Sequence, residues 1–197
     1  MYSDEAGAAQ LWCSATLLPP DVVVLAAHCV DPEIITALYP DTTALRFYFT
    51  RLSDVGPYDG TQVLPADAVE AIGAVYHASY SVLWFDEGIA DNHDIAMLFL
   101  GEALDIPHAY PVASSEAEQL VEGAEVVVVG WGQRSDDPDA TGRKMMGIST
   151  VGEVGDAEFL VGPLESDVRQ CHGDSGGPVF LDVIADTETP TRLVGVT

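Results

Sequence analysis

Short apolar runs rich in Val, Ile and aromatic residues recur along the whole chain, and Gly, Pro, Asp or Ser closes each of them. Runs this short fit strands better than helices, and the residues between them are those that turn a chain back on itself. The candidate strands are Leu11–Leu18, Val22–Ala26, Ala44–Thr50, Val69–Tyr76, Ile95–Leu100, Glu125–Gly130, Lys144–Val154, Glu158–Val161, Pro178–Val183 and Arg192–Val196. With 18 Gly and 12 Pro, a turn residue is at hand for nearly every break. Helical signals are confined to Asp31–Leu38, which opens on an acidic residue, and Ser114–Val121, which opens weakly like a capping box. The pattern predicts an all-β fold, a sandwich or barrel. Polar loops are expected at Leu52–Gly60, Phe85–Asn92, Gly132–Gly142 and Asp182–Thr191, the third a mobile surface loop.

Composition narrows the function. The 197 residues hold 7 Lys+Arg against 32 Asp+Glu, a formal charge of −25. Phosphates are repelled by such a surface, so a general nucleic-acid binder is excluded. No apolar run reaches the ~20 residues of a membrane-spanning helix, and a hydrophobic content of 48% is too high for a disordered chain. Length suits one domain, or two packed halves divided near Gly101–Ser115. Met1 is followed by Tyr2-Ser3-Asp4-Glu5, with no signal-peptide character, and Thr197 falls within an apolar, strand-like run. The sequence therefore reads as a piece of a longer protein.

Three segments could carry chemistry. Cys171-His172-Gly173-Asp174-Ser175-Gly176-Gly177-Pro178 places a serine between glycines, where a tight turn can point successive backbone N–H groups into one concavity suited to an oxyanion. The plainer reading is a Gly-rich β-turn. Val22-Val23-Val24-Leu25-Ala26-Ala27-His28-Cys29 ends an apolar strand on a histidine; the competing reading is a satisfied core residue. Cys29 follows Cys13 by sixteen residues, a spacing that suits a bridge between neighbouring strands. Asn92-His93-Asp94-Ile95-Ala96-Met97-Leu98 leads an aspartate into a strand, either as a turn residue or as a carboxylate that orients an imidazole. Together they supply a nucleophile, a base to take its proton and a carboxylate to fix the base's tautomer.

In these residues the chain resembles the trypsin/chymotrypsin-like serine proteases. The resemblance rests on Leu25-Ala26-Ala27-His28-Cys29, Asp94-Ile95-Ala96, Val129-Gly130-Trp131-Gly132 and Gly173-Asp174-Ser175-Gly176-Gly177-Pro178, in the family's order, and it spans nearly the whole chain. It implies two packed antiparallel Greek-key β-barrels, the first at about 1–105 and the second, truncated, at about 112–197, within one peptidase domain. Ser175 is implied as nucleophile, His28 as general base, Asp94 as its orienter, and the N–H groups of Gly173 and Ser175 as the oxyanion hole. Cys13–Cys29 matches the bridge beside the histidine, and Asp174 matches the acceptor of the new N-terminal ammonium group. No cofactor and no metal are implied. Protein or peptide substrates are, with a protein inhibitor as a further partner, a monomeric state, no nucleic acid, no membrane, and a secreted or periplasmic location of bacterial type. The rival is an inactive, protease-like binding protein. An esterase elbow is rejected, because the histidine lies far upstream and Pro178-Val179-Phe180 starts a strand.

The family pattern breaks in three places. No Ile/Val-Val-Gly-Gly start precedes Cys13, so Asp174 lacks its partner and the oxyanion loop is expected to be poorly ordered. The chain stops before the family's next strand and terminal helix, and Cys171 normally pairs within that part. Arg169 stands six residues before the nucleophile, where trypsins have an acid. It either floors the substrate pocket, with His172 at its mouth, or turns outward to pair with Glu165 or Asp167; cleavage after Lys or Arg is not expected. Asp54, Asp59, Asp67 and Glu70 read as a solvated acidic loop rather than a calcium site, His77 and Gly130-Trp131-Gly132 as structural, and His93 as a surface residue.

Overall fold

The computed structural model describes residues 2–3, 9–41, 45–57, 63–81, 89, 92–135, 140–183 and 191–197. Asp59 and parts of the four polar loops (58–60, 85–88 with 90–91, 136–139 and 184–190) lie outside the described residues.

Two five-stranded antiparallel sheets account for most of the strands. A short pair, β1 (Tyr2–Ser3) and β2 (Ala9–Gln10), stands apart from them and has no counterpart in the sequence reading. The first sheet contains β3 (Thr16–Leu18), β4 (Val22–Leu25), β5 (Tyr48–Phe49), β6 (Val69–Tyr76) and β7 (Ala96–Leu100), in the order β3-β4-β7-β6-β5. The second contains β8 (Glu125–Gly130), β9 (Met145–Val154), β10 (Phe159–Val161), β11 (Pro178–Asp182) and β12 (Thr191–Val196), in the order β10-β9-β8-β11-β12. Both sheets curl, giving the two-barrel, trypsin-like architecture expected from the motifs.

Period-two alternation builds each core. In β7, Ala96, Leu98 and Leu100 are buried while Met97 and Phe99 face out. Leu17, Val23, Leu25, Val69 and Leu98 share the first core. Val126, Val128, Val151, Val179 and Leu181 form the second. Each such side chain contributes ~1.5–3 kcal/mol on burial.

Helix is scarce. Pro32–Leu38 forms α1 as expected, with Pro at its start and the Asp31 carboxylate accepting the Glu33 N–H at 2.8 Å. Ser114–Val121 yields only a 3-10 turn at Ala117–Gln119. There Glu116 accepts the Ala113 N–H at 2.9 Å and pairs with the buried guanidinium of Arg192 on β12, also at 2.9 Å. The hydrogen bond from Arg192 holds the Glu116 carboxyl below the usual carboxylate range. Leu11–Ala15 is not strand, contrary to expectation, because its backbone turns to the second sheet: Ser14 N–H donates to Ser175 O at 2.8 Å.

Candidate active site

Strand pairing brings His28 and Asp94 together. β4 and β7 run antiparallel with Leu25 opposite Ala96. His28 lies three residues beyond Leu25, on the 3-10 turn Ala27–Cys29, and Asp94 lies two before Ala96. The two therefore leave the same end of neighbouring strands. The imidazole Nδ1 meets Asp94 Oδ2 at 2.6 Å, and the His28 backbone N–H donates to Asp94 Oδ1 at 2.8 Å. Both carboxylate oxygens are thus used, and the buried imidazole has Nδ1 committed to the carboxylate. The Cys13–Cys29 disulfide ties the turn to the segment before β3, and Trp12 Nε1–H donates to Cys29 O at 2.9 Å.

Tyr80 lies beside this pair. Its hydroxyl is buried without a hydrogen-bond partner at good geometry. Burial, with the Asp94 and Asp31 charges nearby, pushes the phenol above its ordinary range. His77 is exposed and stacks on His93 at 4.5 Å between ring centroids. His93 is the one non-glycine among the described residues at positive φ, +50°.

The serine turn packs against the strand that leads to His28. Gly176 has φ +78°, and a Cβ there would stand 2.9 Å from Leu25 Cβ and 3.1 Å from Ala26 N. Hydrogen bonds run Asp174 N–H to Cys171 O at 2.9 Å, Gly177 N–H to Asp174 O at 2.7 Å and Gln133 N–H to His172 O at 2.8 Å. Among the described residues no acceptor meets the N–H of Gly173 or of Ser175. The His172 and Cys171 side chains are exposed, the latter as a free thiol.

Asp174 turns away from the serine and into the second sheet. The Gly132 N–H donates to one of its oxygens at 2.8 Å and the Cys171 N–H to the other at 2.9 Å. These bonds give the loop a defined hydrogen-bonded course. Burial raises the Asp174 carboxyl above its ordinary range, since these two bonds only partly offset desolvation. Gly130 and Gly132 make its approach possible: a Cβ on Gly132 would lie 2.5 Å from the Asp174 Cγ, and one on Gly130 2.8 Å from it. The Gly-Trp-Gly segment is therefore structural, as expected, for a reason visible only with its partner. Asp174, Arg169, Met145, Met146 and Val168 line a cleft of about 280 Å³.

Arg169 is exposed and pairs with neither Glu165 nor Asp167. Its Nε–H donates to Gly162 O at 3.0 Å and its Nη2–H to Leu164 O at 3.4 Å, while Asp167 accepts from Thr150 and the Leu164 N–H. Backbone carbonyls reach the guanidinium first because Gly162, at φ +81°, curls the chain around it. Asp54 and Asp67 likewise serve their own loops, through the Gly56 N–H and through Thr50 and the Arg51 N–H. His108 packs edge-on against Tyr110.

Two curled sheets, with a carboxylate-bound histidine on one and a glycine-bounded serine turn seated against it, define a protein of the trypsin-like class. The sequence matches the Trypsin family over residues 1–197, and the chain belongs to that family. It is 27% identical over 187 residues to the serine proteinase stubble of Drosophila melanogaster, covering 85% of this chain and 21% of that protein. To clotting factor C of Tachypleus tridentatus it is 28% identical over 205 residues, 93% of this chain and 19% of that one. To kallikrein 1-related peptidase b3 of Mus musculus it is 24% identical over 190 residues, 88% of this chain and 67% of that one. Family membership supports a proteolytic function at the general level.

Proposed function

We propose that the chain is a serine endopeptidase working through an acyl-enzyme on Ser175. The double hydrogen bond between His28 and Asp94 carries the reading. It commits Nδ1 to the carboxylate and so turns the ring's other nitrogen, Nε2, to the role a general base needs. In this mechanism the Ser175 hydroxyl oxygen attacks the scissile carbonyl carbon while its proton passes to His28. The negative charge that develops on the carbonyl oxygen is met by the unengaged N–H groups of Gly173 and Ser175. Collapse breaks the C–N bond, and the imidazolium returns its proton to the leaving amine. Water, deprotonated by the same imidazole, then releases the acid and restores the serine. Asp94 orients the ring and stabilises the cationic form it takes during the reaction.

The remaining residues take subsidiary roles in this reading. Asp174, a half-buried carboxylate on an open cleft, suits a cationic group such as an ammonium. Arg169 and His172 border the substrate pocket, and a cation at Arg169 disfavours Lys or Arg side chains there. The Cys13–Cys29 bridge suits an oxidising compartment, and no helix among the described residues is long and apolar enough to cross a membrane. We therefore place the protein outside the cytoplasm, secreted or periplasmic.

Fluorophosphonate labelling tests the proposal. The chain should be labelled, the label should vanish in Ser175→Ala and fall steeply in His28→Ala, and Lys or Arg amides should not be turned over. Absence of label on the folded parent would leave the protease-like binding protein as the better reading.

A further inference from the structure

Ser14 is an ordinary serine in a segment without regular structure, yet it is only 2% exposed and makes three bonds to the second sheet's site. Its hydroxyl donates to Gly173 O at 2.9 Å and accepts the Trp131 N–H at 3.1 Å. Its backbone N–H donates to Ser175 O at 2.8 Å. Within one peptide unit the C=O and the N–H point opposite ways. His172 O, held by Gln133, therefore turns the Gly173 N–H to the other side, and Asp174 O, held by Gly177, does the same for the Ser175 N–H. The two other carbonyls of this four-residue stretch, Gly173 O and Ser175 O, are both held by Ser14. The hydroxyl also fixes Trp131, whose neighbour Gly132 carries Asp174. One residue thus holds the turn at both Gly173 and Ser175, and its hydroxyl alone joins Gly173 to the Trp131 N–H at the strand end.

We propose that Ser14 is a positioning residue that aims the Gly173 and Ser175 N–H groups at the developing oxyanion. The inference rests on the serine-protease reading above. Hydrogen bonds to an oxyanion weaken steeply with misdirection, and they matter most where charge appears only in the transition state. Removing the hydroxyl frees Gly173 O and strands the Trp131 N–H without touching the nucleophile or the base.

The experiment is Ser14→Ala in the whole chain, with active sites counted by fluorophosphonate titration. The expected result is a fall in kcat per active site of about tenfold with KM unchanged. Affinity for a peptide boronate, which forms the tetrahedral adduct, should fall by the same factor. Loss of packing alone would lower the count of active sites and leave kcat per site intact; that outcome, or unchanged boronate affinity, overturns the proposal. If the parent chain takes no fluorophosphonate, the protease reading has failed, and amide exchange then decides on the clamp. Faster exchange at the Trp131 N–H in Ser14→Ala, beyond any global change, supports it, and unchanged exchange overturns it.

Discussion

Gly176→Ala asks how closely the serine turn must sit on the strand that presents His28. Two costs arise. At φ +78° any Cβ-bearing residue is strained by ~1–2 kcal/mol. The new methyl would also meet Leu25 Cβ at 2.9 Å, Ala26 N at 3.1 Å and the Ser14 carbonyl oxygen, whereas ordinary contact begins at 3.4 Å. None of these atoms is the end of a flexible side chain, so the turn must recoil by about 0.5 Å or more at Leu25 alone. If a misplacement of about 1 Å costs a hundredfold in rate, half of that costs roughly tenfold. Gly123→Ala is the control. Its φ is +85°, but nothing lies within 4 Å of its would-be Cβ, so it carries strain without a clash. Both variants should lose ~1–2 kcal/mol of stability in urea from strain, and Gly176→Ala a further amount from its clash. Only Gly176→Ala should slow the second-order rate of fluorophosphonate labelling by tenfold or more. Equal labelling rates for the two folded variants would refute the argument that this contact sets the serine against the histidine.

Two further outcomes follow from the same region. Replacing Cys13 and Cys29 together by Ala opens a loop with a sequence separation of 16 and should cost about 3 kcal/mol of unfolding free energy, read from urea titrations; a loss under about 1 kcal/mol would contradict this chain-entropy argument. For Asp174, burial raises the folded-state pKa above that of the unfolded chain. Stability from this group is therefore fullest below the ordinary carboxylate range and is lost as pH rises through the raised value. The difference in Tm between Asp174→Asn and the parent should shift in the variant's favour between about pH 4 and about pH 7, and a difference flat in pH would contradict the assignment.

What could be read in the sequence was whatever one segment decides by itself. Val22–Leu25 and Ala96–Leu100 are apolar enough to be strands anywhere, and once they pair, His28 and Asp94 must emerge at the same end. The glycines around Ser175 and Trp131 were visible too, although Gly-Trp-Gly showed only that it was structural, because the carboxylate it makes room for lies 42 residues away. Ser114–Val121 failed as a helix because Glu116 is claimed by Arg192 at a separation of 76, and no local signal announces that pair. Leu11–Ala15 failed as strand for the same kind of reason, its backbone being spent on a turn that follows far later in the chain.

Ser14 is the limiting case of this rule. Its partners stand 117 and 159 residues away, and beside Cys13 it looks like any small residue that a disulfide tolerates. A serine that is ordinary by composition becomes specific when two sheets close on it, because a hydroxyl is the smallest group that both donates and accepts at a buried junction. The same logic predicts where else such residues hide: small polar side chains that are buried, fully bonded and placed between elements that share no strand ladder. Ser149, buried at 1% with its hydroxyl unbonded, meets the first condition and fails the second, which separates a positioning group from a merely enclosed one.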